Sequence, residues 1–134
     1  MKRIFTTIIL LVLTLNVFAQ APEKMSYQAV IRDASDELLA SQQIGVKISI
    51  LQGSDVTTAA AVYEETHTPS TNSNGLISLE IGSGTSVSGN FGSIDWSSGT
   101  CFIKTETDPA GGANYSITGT SQLLSVPYSL YAKK

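Results

Sequence analysis

The chain has 134 residues with eight basic and eleven acidic side chains, one histidine and one cysteine, and only 14% of its residues are charged. A net charge of −3 with scattered lysines and arginines argues against nucleic acid or an anionic membrane surface as a partner, because neither can be held without clustered cations. One cysteine excludes an intramolecular disulfide and a cysteine-based metal cage, and no motif asks for a cofactor.

Residues 1–19 open with Lys2 and Arg3, continue through the apolar run Ile8 to Leu15, and end on Val17-Phe18-Ala19. The apolar run is too short to span a bilayer and the small residue at its end suits cleavage, so this segment reads as a secretory signal. Gln20 would then begin the mature chain, exported to the cell surface or the medium, with no membrane insertion after cleavage. No cysteine follows the apolar run to carry a lipid. Removing 19 of 134 residues leaves 115, enough for one domain with a core of its own. Lys2 and Arg3 take two of the eight basic side chains with them, leaving six against eleven acidic ones.

Residues 20–24 form a short lead. A β-sandwich domain is expected over residues 25–124, and residues 125–134 read as a helical start or the stub of a stalk. Met25 to Arg32 has the β-branching and apolar density of a strand, and Asp33 to Asp36 turns it. Leu38 and Leu39 begin a second extended stretch that leads to Ile44–Ile50, where Val46, Ile48 and Ile50 alternate with polar neighbours and so share one buried face. Ala59 to Thr68 starts with alanines, but Val62-Tyr63 and Pro69 favour a strand over a helix. An Asn-Gly turn at Asn74-Gly75 precedes Leu76 to Ile81, which suggests that the two flanking strands form a hairpin-like unit. Gly82 to Gly92 reads as a surface loop or irregular crossing, and Ile94-Asp95-Trp96 as a return to the core. Cys101 to Thr107 and Tyr115 to Thr120, joined by the turn-rich Asp108–Asn114, form the clearest hairpin. At the end, Ser125 stands as a cap before Val126-Pro127, and Tyr128 to Lys134 can start a helix.

Six or seven short strands without helices between them predict an all-β, antiparallel β-sandwich, with immunoglobulin-like and transthyretin-like topologies both open, and a short C-terminal helical start.

The inventory for catalysis is thin. His67 is the sole histidine, no serine sits in a Gly-x-Ser-x-Gly frame, and His67 between two threonines reads as an exposed strand residue, so a non-enzyme is expected. Cys101 is read as a packing residue sharing a face with Ile103. The glycine-rich run lacks the lysine of a phosphate loop. Asp33, Asp36, Glu37, Asp95 and Asp108 lie where oxygen ligands for Ca²⁺ gather, but turn chemistry accounts for each, so no metal is expected. Trp96, Tyr63 and Tyr115 are the candidate ligand surface if they line up on one sheet face, with a core anchor as the simpler reading of Trp96. Leu123, Leu124, Val126, Tyr128, Leu130 and Tyr131 are more apolar than a free tail should be and are the candidate assembly contact, either with further copies or with other surface proteins.

Three runs carry a family resemblance: Pro22 to Asp33, Asn74-Gly75-Leu76-Ile77, and Gly119 to Tyr128, the last including Ser125-Val126-Pro127-Tyr128. Together they resemble the N-terminal module of large secreted bacterial surface proteins, which precedes collagen-like, coiled-coil or tail-fibre-like C-terminal regions. The resemblance implies an exported, non-catalytic structural or interaction module of a fibre-like or adhesin-like assembly, and it transfers no catalytic residues. Two departures stand out: the sequence stops at Lys134, soon after the Val-Pro-Tyr run, and Cys101 occupies a place where the family would carry an aromatic residue. The alternatives are a carbohydrate- or protein-binding sandwich with Trp96 at its contact surface, and a pilus-type subunit completed by a donated strand.

Overall fold

A computed structural model describes residues 23–124 together with Lys2 and Arg3. Most of the expected signal segment, the lead residues 20–22 and the expected helical start at 125–134 lie outside the described residues, as do Val126, Tyr128, Leu130 and Tyr131. Among the described residues seven strands follow one another: β1 Met25–Val30, β2 Gly45–Gly53, β3 Ala60–His67, β4 Leu76–Ile81, β5 Thr85–Ser88, β6 Thr100–Asp108 and β7 Ile117–Gln122. A single 3-10 turn, Phe91–Ser93, separates β5 from β6. All strand pairings are antiparallel, in a two-stranded sheet β1-β4 and a five-stranded sheet ordered β5-β3-β2-β6-β7.

β2 is the centre of the larger sheet, and its sequence explains why. Val46, Ile48 and Ile50 point to one face and are almost wholly buried, as the period of two requires. Opposite them in register stand His67, Glu65 and Tyr63 of β3 on one side, and Thr107, Thr105 and Ile103 of β6 on the other. The same core takes Ile77 and Ile81 from β4, so both sheets contribute to one apolar cluster. Met25, Tyr27 and Ala29 of β1 pack against it from the smaller sheet.

The other face of the large sheet is an ionic ladder. Lys47 of β2 lies 3.0 Å from Glu64 of β3 and 3.7 Å from Glu106 of β6, and Lys104 lies 3.1 Å from Glu106. The hydrogen bond to Glu64 raises the Lys47 pKa, and the same contact lowers that of Glu64. Ser49 donates to Glu64 and is itself buried beneath these side chains. Opposite charges on adjacent strands suit a wet sheet face, where each pair is worth little alone and fixes register in combination.

Three expectations from sequence need correction. β3 and β4 do not form a hairpin: β4 pairs with β1, whereas β3 lies between β2 and β5. The turn chemistry itself is present, since Asn72 Oδ1 accepts from the Asn74 and Leu76 amides and Gly75 adopts φ 72°. The chain between the strands, however, is pinned to another segment by the Gln43↔Ser70 bridge and by the Thr71 amide donating to the Gln42 carbonyl, and it crosses from one sheet to the other. Second, the Gly82–Gly92 stretch contains a strand, β5, which pairs with β3 across a bulge at Glu64/Glu65. Third, Trp96 is no core anchor: it is 43% exposed, while its neighbour Ile94 packs against the core.

Candidate functional site

β3 places Tyr63, Glu65 and His67 on its inner face by simple alternation, and this brings a carboxylate into the core. Glu65 is 0% exposed. Its burial is offset by donors from every side. The Tyr63 hydroxyl donates at 2.7 Å, the His67 Nε2 lies 2.7 Å away, and the backbone amides of Gly82 and Gly84 donate at 3.0 Å each to Oε2. Burial alone would push the carboxyl pKa up, but the hydrogen bonds from His67, Tyr63 and the two amides outweigh it, and the pKa lies below the ordinary 4.5. The same burial, with the adjacent carboxylate, drives the Tyr63 pKa well above its usual value. No buried side-chain nitrogen or oxygen among the described residues lacks a hydrogen-bond partner.

Glycines make this clamp geometrically possible. A Cβ at Gly84 would stand 2.6 Å from His67 Nε2 and 2.8 Å from the Thr66 carbonyl oxygen, so only a glycine lets the β4–β5 turn reach Glu65. Gly82 adopts φ 99°, a conformation that favours glycine. The carboxylate thus staples the turn after β4 to the second half of β3, linking the two sheets through a polar contact inside the core.

Sequence reasoning missed Glu65 and misplaced His67, whose side chain is 12% exposed rather than free in solvent. The signal was present: in the Val62–His67 run, period two puts Glu65 on the same face as Tyr63, where a charge needs a partner, and His67 stands two residues on.

Three shallow clefts run along this side of the molecule. One of about 270 Å³ is lined by Thr66, His67, Thr68, Ser83, Gly84 and Thr85. The next, about 250 Å³, shares Gly84 and includes Tyr63, Asn90 and Phe91. The third, about 410 Å³, shares Phe91 and Glu23 and is walled by Met25, Ile94 and Trp96. The rings of Tyr63 and Phe91 meet edge to face at 5.4 Å, and those of Phe91 and Trp96 at 5.7 Å, so Tyr63 and Trp96 are linked through an aromatic that the sequence reading did not single out.

Tyr115 does not join them. It stands just after the turn anchored by Asp108, which pairs with Gly45 at the start of β2. Trp96 follows Asp95, whose carbonyl accepts from Gln52 near the end of β2. The two aromatics thus lie near opposite ends of the nine-residue β2, so the three-aromatic platform is not formed.

The remaining sequence candidates fall into structural roles. Cys101 is buried and shares its face with Ile103, as expected. Asp33, Asp95 and Asp108 each accept from backbone amides two to six residues ahead, and the Ser97 and Ala110 contacts lower the pKa of Asp95 and Asp108 respectively. Among the described residues no three His, Cys, Asp or Glu side chains are placed to hold a metal, and no helix is long and apolar enough to cross a membrane. Leu123 packs against the core, its amide donating to the Cys101 carbonyl at 2.8 Å, whereas Leu124 is 77% exposed.

The fold and these contacts define an all-β, antiparallel domain in which a buried carboxylate ties two sheets together. Residues 26–121 match the family described as Domain of unknown function (DUF8740), and the chain belongs to that family. No curated protein and no solved structure matches it.

Proposed function

We propose that this protein is an exported, non-catalytic structural or interaction module, a β-sandwich that serves as a building unit of a cell-surface or secreted fibre-like or adhesin-like assembly. The two sheets sharing one core support the sandwich reading, in either the immunoglobulin-like or the transthyretin-like arrangement. Residues 1–19 support export, and the three motif runs support kinship with the N-terminal modules of large secreted surface proteins. The polar groups that chemistry would use are engaged in the fold: Glu65 accepts from four groups, and His67 is held against it.

The observation that carries the assembly reading is the end of β7. Leu123 is tucked against the core, and one residue later Leu124 is 77% exposed, an unburied leucine suited to contact with a partner. Static light scattering of the exported protein, beside a variant ending at Leu124, tests this. The expected result is an oligomer whose mass falls on truncation. A monomer in both cases would remove the reason for calling it an assembly module, and N-terminal sequencing that did not begin at Gln20 would remove the signal assignment.

A second reading rests on Trp96. Its exposed ring at the rim of a cleft with the Glu23 carboxylate offers a stacking face beside a hydrogen-bond acceptor, the combination that holds a sugar ring. As the sole tryptophan it reports directly by fluorescence. Emission that shifts with a glycan supports this reading, and emission unmoved by a broad glycan panel sinks it.

A further inference from the structure

The free strands of the two sheets are not equally protected, and the difference identifies a contact surface. β5 closes one side of the large sheet with only four residues, and its pairing with β3 is broken by a bulge. Short length and bulges are the usual means by which an edge is made unfit for another strand. In the small sheet, Lys24 directly precedes β1 and Arg32 stands two residues after it, and β4 carries Glu80, which pairs with Lys24. β7 has none of these devices. Its six residues, Ile-Thr-Gly-Thr-Ser-Gln, contain neither charge nor proline, its register against β6 runs without a shift from Ile117 to Gln122, and five of the six are exposed. No charged residue stands anywhere between Asp108 and Lys133.

The hydrogen-bonding phase of β7 follows from its end. Because the Leu123 amide donates to Cys101, alternation directs the backbone groups of Ser121, Gly119 and Ile117 towards β6 and those of Gln122, Thr120 and Thr118 away from it. Among the described residues, only β6 pairs with β7.

We propose that β7 is a self-pairing edge: Thr118, Thr120 and Gln122 of one copy pair antiparallel with Gln122, Thr120 and Thr118 of a second copy, joining two five-stranded sheets across a two-fold axis at Thr120. The segment suits its own copy because antiparallel pairing about Thr120 sets threonine on threonine and Thr118 on Gln122, with no charge to repel its equivalent. Each of these residues exchanges both backbone bonds with its partner, which satisfies the outward groups together. This contact rests on the assembly reading, of which it supplies one surface, and it is distinct from the apolar segment that follows Leu124.

The test uses charge at the axis. Thr120→Lys and Thr120→Glu are made in the full chain, measured singly and as an equimolar mixture by light scattering, with the Leu124 truncation alongside. Like charges facing each other across the axis are expected to lower the mass of each single variant roughly two-fold, and mixing restores it because lysine then faces glutamate. A variant that merely misfolded would not be rescued by mixing, and circular dichroism checks each fold independently. If both variants keep the full mass while the truncation lowers it, self-pairing at β7 is wrong and the assembly reading stands. If both variants lose mass and the mixture does not regain it, the two-fold axis at Thr120 is wrong. A full chain that is monomeric from the outset, whether or not residues 125–134 cover the edge, overturns both proposals.

Discussion

The two flanks of the five-stranded sheet are built on opposite principles. On the β3–β5 side a buried carboxylate gathers a tyrosine, a histidine and two glycine amides into a satisfied network, and the edge strand beyond is short and bulged. On the β6–β7 side the carboxylate network is local: Asp108 accepts from the Ala110, Gly112 and Asn114 amides of the turn that joins β6 to β7. The strand is regular, uncharged and hydroxyl-rich, and its outer backbone groups face away from the sheet. One flank is closed by interactions within the chain, and the other is left in a form that a further strand can complete. A domain with this asymmetry can be rigid and still offer one edge for a two-fold contact with a second copy.

The largest way to break the comparison is Glu65→Ala. It strands the Tyr63 hydroxyl, the His67 ring and the Gly82 and Gly84 amides in the core together, and the expected loss is about 3–5 kcal/mol in chemical denaturation. A loss below about 1 kcal/mol would mean that the clamp does not hold the two sheets together. Tyr63→Phe removes one bond to the same carboxylate and keeps the ring against Phe91, so about 1.5–3 kcal/mol is expected. The pH dependence is a smaller, graded version of the same effect. Glu65 has a native pKa below 4.5, so the stability it contributes is complete above pH 4.5 and drains away as the pH falls through its lower native value. Thermal midpoints measured from neutral pH downward should therefore fall more steeply in the natural protein than in Glu65→Gln. Parallel curves would assign acid sensitivity to other carboxylates. The smallest effect belongs to the other flank. Thr120→Pro removes an amide that points away from β6, so monomer stability should change by no more than about 0.5 kcal/mol. A large loss would show that the Thr120 amide is already used within the chain.

Much of this architecture is written in local pattern. Val46, Ile48 and Ile50 announced a buried face, and the Cys101–Thr107 and Tyr115–Thr120 segments announced a hairpin, because alternation and turn residues act over a few positions. What pattern does not carry is the choice of partner. Asn72 to Gly75 makes the turn its sequence promises, yet Leu76 to Ile81 pairs with β1, some fifty residues earlier in register, because long-range packing decides which edge a strand meets. β5 was obscured by its own composition, since Thr85 to Ser88 lies in a glycine- and serine-rich stretch and becomes a strand only by pairing with β3. Trp96 illustrates a different limit: a large aromatic is a good guess for a core, but Ile94 and Phe91 fill that position and leave the indole at the rim. Glu65 is the most instructive miss. Its burial depends on two glycine amides contributed by a turn beyond the next strand, and nothing near Glu65 in sequence announces them.

Native-state hydrogen exchange at low and high protein concentration tests the contrast between the flanks most directly. The account predicts that the Gly82 and Gly84 amides, bound to Glu65, are protected at both concentrations, whereas the Thr118, Thr120 and Gln122 amides exchange freely when dilute and become protected when concentrated. Rapid exchange at Gly82 and Gly84, or protection at Thr118, Thr120 and Gln122 that does not change with concentration, would contradict it.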